Sequence, residues 1–200
     1  MAKGPTVVEN ILTPEEINKV YSYCKSTNKW GELFPEHANI PPYEDFWKGR
    51  CISGAEVEVS SIQYLMLYKR ELIKKLIHIN YNAEIPLYSD TLNFIRWPEG
   101  YELYLHADNI NPNGHPHNFP YREFASVIYL NDDYNGGQMY FPQWEFEPEM
   151  KPGSVCIAPA GLDYMHGVKK ISDGVRYTIS SFYTYNRMKA DFYDRQFDPE

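Results

Sequence analysis

Several absences narrow what this 200-residue chain can be. No apolar run approaches the roughly 20 residues that a bilayer-spanning helix needs, so a membrane is not expected as a partner. The opening residues, MAKGPTVVEN, lack the charged and apolar regions of a secretory leader. Cysteine is scarce. Cys24, Cys51 and Cys156 are odd in number, widely spaced and form no CxxC pair. They are expected to be inert buried thiols in a reducing, cytoplasmic setting. Positive charge is in deficit, with a formal net charge of −8, which argues against a nucleic-acid backbone as partner. There is no internal repeat, low-complexity tract or linker, so one domain over 1–200 is expected, of a size that supports a real hydrophobic core.

What is present is aromatic and periodic. Eighteen tyrosines suit a β-rich core or a site that handles peptides, and composition does not separate the two. "LTPEEINKVYSYCKST" has a helix start: Thr13 as N-cap, Pro14 at the first helical position and Glu16 completing a capping box. Ile17, Val20, Tyr21 and Cys24 form one stripe, which predicts a helix over 14–26. Residues 28–58 show no sustained period and are rich in Pro and aromatics, as a cover over a site or a structural pad would be. Ile62, Leu65, Met66, Leu72, Ile73, Leu76 and Ile77 recur at three and four, which predicts a second helix over 61–80. His78, near its end, suits the helix dipole and receives no catalytic role.

From residue 88 the period becomes two. TLNFIRW, YELYLHAD, FASVIYLN, QMYFP, SVCIAP and VRYTISSFYTY read as strands separated by turn residues. The expected fold is mainly β: a jelly roll, or double-stranded β-helix, over 88–185, with an N-terminal helical layer and loop over 1–85 packed on one sheet. Gly136 and Gly137 read as turn glycines with positive φ.

Alternation places His106 and Asp108 on one face of a strand. Such an HxD pair is weak by itself. His166 adds a third candidate ligand, and Arg176 follows ten residues later at the start of a strand. Two His and one carboxylate on one side of a metal form the facial triad of non-haem Fe(II) oxygenases. A fixed guanidinium can hold a carboxylate through two parallel hydrogen bonds. Tyr104 shares the ligand face, as a pocket residue or a core aromatic. His115 and His117, in "NGHPHNF", have metal-like spacing but no carboxylate partner; they read as solvated loop histidines, with a substrate contact as the second reading. His37 reads as surface.

The ordered pieces "WPEGYELYLHADN", "SVIYLNDDYNGGQMYFP", "KPGSVCIAPAG" and "HGVKKISDGVRYTISSF" over 90–185 resemble the 2-oxoglutarate- and Fe(II)-dependent dioxygenases of the prolyl 4-hydroxylase-like branch. The resemblance implies His106, Asp108 and His166 as iron ligands and Arg176 as partner of the distal carboxylate of 2-oxoglutarate. It makes these four the catalytic set. Tyr129 matches a tyrosine that bonds the same carboxylate, and Thr178 shares the Arg176 face. Trp97 stands where many members carry Tyr, with an indole N–H that can still donate. Ala158 replaces a larger apolar residue and widens the pocket floor.

The implied reaction consumes 2-oxoglutarate and O2, with ascorbate as an accessory reductant. It releases succinate and CO2 and hydroxylates a C–H bond, in the first instance of a prolyl side chain in a peptide or protein. Oxidation of a small molecule or free amino acid, or a non-catalytic jelly-roll binding module, are the alternatives. On the peptide reading, part of 30–50, with Trp30, Phe34, Tyr43, Phe46 and Trp47, forms a wall or lid over the site, and the acidic surface favours neutral or basic peptides.

Overall fold

The computed structural model describes residues 3–31, 46–113, 115 and 117–196. Its centre is a large antiparallel sheet. The strands are β1 (Thr6–Val8), β2 (Cys51–Ser53), β3 (Tyr88–Pro98), β5 (Phe124–Tyr129), β8 (Val155–Pro159) and β10 (Ile171–Thr184), in the order β1-β8-β5-β10-β3-β2. β6 (Tyr134–Gly136) pairs with the start of β10. A smaller sheet contains β4 (Leu103–His106), β7 (Met139–Tyr140) and β9 (His166–Val168), in the order β4-β9-β7. These are two sheets face to face, as a jelly roll requires.

The helices lie against the outer face of the large sheet. α1 (Pro14–Ser26) begins where its capping box places it: the Glu16 N–H donates to Thr13 Oγ1 at 3.3 Å, and the Thr13 N–H donates to Glu16 Oε2 at 2.8 Å. α2 (Ser60–Tyr81) ends at Asn82, whose φ of 51° closes the last turn in the left-handed region. Val20, Cys24, Ile62, Met66, Ile73 and Ile77 pack on Phe94, Ile128, Ile157, Ile179 and Tyr183, the outward residues of the strands. Among the described residues no helix is long and apolar enough to cross a membrane. All three cysteines are buried.

The predicted stripe on α2 is incomplete in an instructive way. Lys69 and Arg70 are also buried there. Lys69 Nζ meets Glu16 of α1 at 2.8 Å. Arg70 bonds Asp191 and meets Asp194 at 2.7 Å, anchoring the turn that leads into α3 (Phe192–Gln196). Charge is tolerated in this layer because carboxylates meet it.

The inner face of the large sheet is different. Register sets Arg176 opposite Trp97, Thr178 opposite both Ile95 and Tyr129, and Ser180 opposite both Asn93 and Val127. Residues directly opposite share a face, so Arg176, Thr178, Ser180, Trp97, Asn93 and Tyr129 all point between the sheets. Two apolar clusters close the sides of that space. Tyr129, Cys156 and Ala158 pack with Met139 and Phe141, and Ile95 and Trp97 pack with Val168 and Ile171. Gly136 and Gly137 have φ of 76° and 70°, as expected; a Cβ on Gly137 would stand 2.2 Å from Ile171 Cδ1 and 3.2 Å from Arg176 Cδ. Only glycine lets that hairpin lie against the Arg176 stem.

Candidate metal and oxo-acid site

β4 stops at His106, and Asp108 lies in the turn beyond it. The alternation nevertheless continues: Ala107 is buried the other way, and Asp108 returns to the His106 side. The turn is fixed by the Asp108 N–H, which donates to the Ala160 carbonyl at 3.1 Å. β9 begins at His166, which pairs directly with His106 across the small sheet. Three residues far apart in sequence thus converge. His106 Nε2 is 3.6 Å from Asp108 Oδ1, His166 Nε2 is 3.9 Å from Asp108 Oδ2, and one ligand atom from each residue lies within 4.8 Å of the others.

The orientation of both rings suits a metal. His106 Nδ1 lies 2.9 Å from the Tyr104 carbonyl and His166 Nδ1 lies 3.1 Å from the Tyr164 carbonyl. A carbonyl only accepts, so each Nδ1 carries the proton and each Nε2 presents a lone pair toward Asp108. Asp108 Oδ2 is buried with no hydrogen-bond partner. Burial works against charge on this carboxylate, but His166, His106 and Arg122 outweigh it and hold its pKa down to about 2. Burial keeps His166 below the ordinary imidazole value. Burial disfavours a charged His106, but Asp108 outweighs it and raises the His106 pKa. An anionic oxygen and two imidazole nitrogens facing one point, with an orphaned oxygen among them, fit a divalent cation such as Fe(II), which takes the place of any Nε2 proton.

On the inner face of the large sheet, Arg176 is 1% exposed. Its Nη2 donates to Tyr129 Oη at 2.7 Å, while Nε and Nη1 are buried without a hydrogen-bond partner. Burial pushes the Tyr129 phenol up to about 12 against the pull of Arg176. Tyr129 is therefore neutral, and because its oxygen accepts from Arg176, its own proton is free to be donated. A buried guanidinium with no ion pair among the described residues is costly. A carboxylate entering from solution relieves that cost with a bidentate bond, which is how the site fits the distal end of 2-oxoglutarate.

Thr178 is buried on the same face, and its hydroxyl accepts the Trp97 indole N–H at 3.2 Å. Trp97 therefore spends its donor on Thr178, not on a ligand. What it offers the pocket is a ring 5.3 Å from the Arg176 Cζ, and the Thr178 hydroxyl keeps its proton free to donate.

Other expectations need correction. Tyr104 is 75% exposed, because β4 is an edge strand; it is not a core aromatic. His115 is exposed as expected, but His117 is half-buried. Its Nδ1 accepts the Phe119 N–H at 3.0 Å, and burial lowers its pKa while the charges of Arg122, Asp108 and His106 all reach it. Trp30 lies on the outer face, against Tyr177 and Arg96, and forms no wall of the site. Phe46 and Trp47 do pack toward it, with ring centroids 6.4 and 5.7 Å from Trp97. Phe34, Tyr43 and His37 lie outside the described residues.

Two further features have no local signature in the sequence. Arg122 and Asp90, both buried, pair at 2.8 Å at the end of the inner face nearest Asp108. Arg50 is buried behind Trp97. Each is an isolated charge in a segment with no recognisable pattern, visible only once the strands are paired.

A jelly roll with a two-His, one-carboxylate group and an unpaired buried arginine is the arrangement that a metal- and oxo-acid-dependent oxygenase requires. Comparison narrows this further. Residues 92–184 match the model of the 2OG-Fe(II) oxygenase superfamily, so the β core of this chain is similar to that superfamily. Family members use Fe(II), 2-oxoglutarate and O2.

Among similar proteins, prolyl 3-hydroxylase 1 of Gallus gallus is 23% identical over 208 residues, covering 89% of this chain and 28% of that protein. Prolyl 3-hydroxylase 2 of Homo sapiens is 27% identical over 92 residues, covering 40% and 13%. The chain thus spans under a third of the length of these relatives. Among solved structures, the viral collagen prolyl hydroxylase of Paramecium Bursaria Chlorella virus-1, in its 2-oxoglutarate complex, superposes with a TM-score of 0.66 at 11% identity, covering 91% of this chain and 96% of that one. The prolyl hydroxylase of Trichoplax adhaerens, in complex with a hypoxia inducible factor oxygen degradation domain peptide, gives 0.64 at 16%, covering 98% and 88%. At these identities the structures speak for the fold.

Proposed function

We propose that this chain hydroxylates a prolyl residue in a peptide or protein, with Fe(II) on His106, Asp108 and His166 and the distal carboxylate of 2-oxoglutarate on Arg176. The observation that carries the proposal is the pairing of two unmet needs between the two sheets. Asp108 Oδ2 lacks a partner beside two imidazole lone pairs, and Arg176 Nε and Nη1 lack an anion. When bound, the metal and oxo acid supply oxidative decarboxylation to succinate and CO2 and the oxidising power for a C–H bond.

The protein's own work is placement. The Tyr104 and Tyr164 carbonyls hold the two imidazoles in the tautomer that ligates. Arg176 fixes the far end of the oxo acid, while Tyr129 and Thr178 offer protons to its oxygens. Met139, Phe141, Cys156 and Ala158 keep that wall dry. No side chain is required as a general base.

A peptide substrate is consistent with exposed apolar side chains close to the ligands in sequence. Exposed apolar side chains flank each ligand in the chain: Tyr104 and Leu105 before His106, Ile110 after Asp108, and Leu162 before His166. Aromatic and aliphatic walls suit an extended, Pro-containing strand, which loses little entropy on docking. The relatives named above are prolyl hydroxylases. The test is incubation with Pro-rich peptides, Fe(II), 2-oxoglutarate, ascorbate and O2, followed by mass spectrometry. One added oxygen on proline is expected. Oxo-acid consumption driven by free amino acids or small molecules, with no peptide oxidised, would replace the substrate class and leave the cofactor assignment standing.

A further inference from the structure

Arg50, immediately before β2, is 2% exposed. Its guanidinium carbon lies 4.0 Å from the ring centroid of Tyr101, 4.5 Å from Trp97, 4.6 Å from Phe46 and 5.1 Å from Trp47. Nε donates to the Arg96 carbonyl at 3.1 Å and Nη1 to the Phe46 carbonyl at 2.8 Å, while Nη2 is buried without a partner. Among the described residues no carboxylate meets it. Aromatic faces and carbonyl oxygens make a buried cation tolerable, but they do not neutralise it.

The Trp97 ring also borders Arg176. Two buried guanidiniums therefore share one indole, with their central carbons less than 10 Å apart. They repel each other: burial brings the pKa of Arg50 down to about 10, and Arg176 pushes in the same direction. A purely structural clamp on the turn at 46–50 has no need of a cation beside another cation. Coulomb interactions over such a distance, in a site shielded from water, remain appreciable. The double charge has a use when the incoming molecule is itself a dianion.

We infer that Arg50 is a second cationic determinant of oxo-acid recognition: from behind Trp97 it adds to the field at Arg176 and selects a dicarboxylic over a monocarboxylic 2-oxo acid. Arg50 touches the oxo acid nowhere in this scheme. It acts through space, and the inference rests on the 2-oxoglutarate assignment above.

The experiment is calorimetric binding of 2-oxoglutarate and of 2-oxopentanoate, which has the same carbon count without the distal carboxylate. The 200-residue chain is Mn(II)-loaded, under anaerobic conditions so that nothing turns over. Mn(II) affinity is measured separately as the check on folding. Arg50→Met is expected to lose roughly tenfold in 2-oxoglutarate affinity, equivalent to about 1.4 kcal/mol, with less than about a twofold change for 2-oxopentanoate. Arg50→Lys keeps the charge and loses the planar fork, and should restore most of the selectivity ratio. Should Arg50→Met fail to bind Mn(II), Arg50→Gln takes its place under the same criterion. An unchanged ratio in the neutral variant, or an Arg50→Lys ratio as low as the neutral one, overturns the inference while wild-type binding of 2-oxoglutarate keeps the cofactor assignment intact. A wild-type protein that binds no 2-oxoglutarate takes both down.

Discussion

The large sheet carries buried arginines on both faces, and they are treated in opposite ways. Arg70, against the outer face, has two carboxylates, Asp191 and Asp194, and Lys74 adds a second cation to Asp194. Arg176, on the inner face, has a phenol at 2.7 Å and no carboxylate among the described residues. The outer charge is balanced within the fold, so it holds elements together. The inner one is left unbalanced, so it asks for a ligand. The lesson is that burial of a charge does not by itself indicate function; its unmet partners do.

The largest effect expected inside the site is on metal binding. Three residues supply the whole ligand set, so each carries a large share of the metal's binding free energy. His166→Ala should therefore lose about a thousandfold or more in Mn(II) affinity by calorimetry, while far-UV circular dichroism stays native. His115→Ala, on the exposed loop, should keep wild-type affinity. The reverse pattern would dissolve the triad.

On the outer face, Arg70→Met removes the guanidinium that Asp191 and buried Asp194 share, and leaves Asp194 to Lys74. Removing one partner of a buried pair costs about 3 kcal/mol or more, so urea unfolding should show a drop of that size with no change in Mn(II) affinity. A drop under about 1 kcal/mol would mean the network is ornamental.

Asp108 gives a pH test with a definite sign. Its folded pKa of about 2 lies below its unfolded value, near 3.9. Its ionisation therefore favours the folded state above pH ~4, and that contribution disappears as pH falls toward 2. Metal-free Asp108→Asn should be less stable than wild type at neutral pH by about 2 kcal/mol, with the two curves meeting near pH 2. A gap that widens on acidification would reverse the sign and refute the assignment.

The smallest effect is local. Thr13→Ala removes the capping box of α1 and should cost about 1 kcal/mol, with oxo-acid binding untouched.

This contrast also explains what was legible in the sequence. α1 was readable to the residue because its start signal is local: Thr13, Pro14 and Glu16 suffice. The long strands β3, β5 and β8 were readable from alternation. β1, β2, β6 and β9 were not, because three residues carry no period; their pairing is decided by partners far along the chain. The triad was legible as residue types in order, although Asp108 sits past the end of its strand. The Trp97–Thr178 bond needed the β3–β10 register. The buried charges Arg50, Arg70, Asp90 and Arg122 were invisible, since nothing local tells a buried arginine from a solvated one. Trp30 and Phe46, sixteen positions apart in one irregular stretch, ended on opposite faces of the sheet, which no composition argument separates.

The central claim is that Arg176 is an unbalanced charge kept for an external carboxylate. The direct measurement is the thermal midpoint of wild type and Arg176→Met, each Mn(II)-loaded and anaerobic, with and without 2-oxoglutarate. The account predicts that Arg176→Met melts no lower than wild type without the oxo acid, because the charge it removes had no carboxylate partner among the described residues. It also predicts that 2-oxoglutarate at a hundredfold excess over its dissociation constant stabilises wild type by about 2.7 kcal/mol, or several degrees, and leaves the variant unmoved. A variant that melts well below wild type and still shifts with 2-oxoglutarate would contradict it: Arg176 would then be holding the fold, as Arg70 does, and not the ligand.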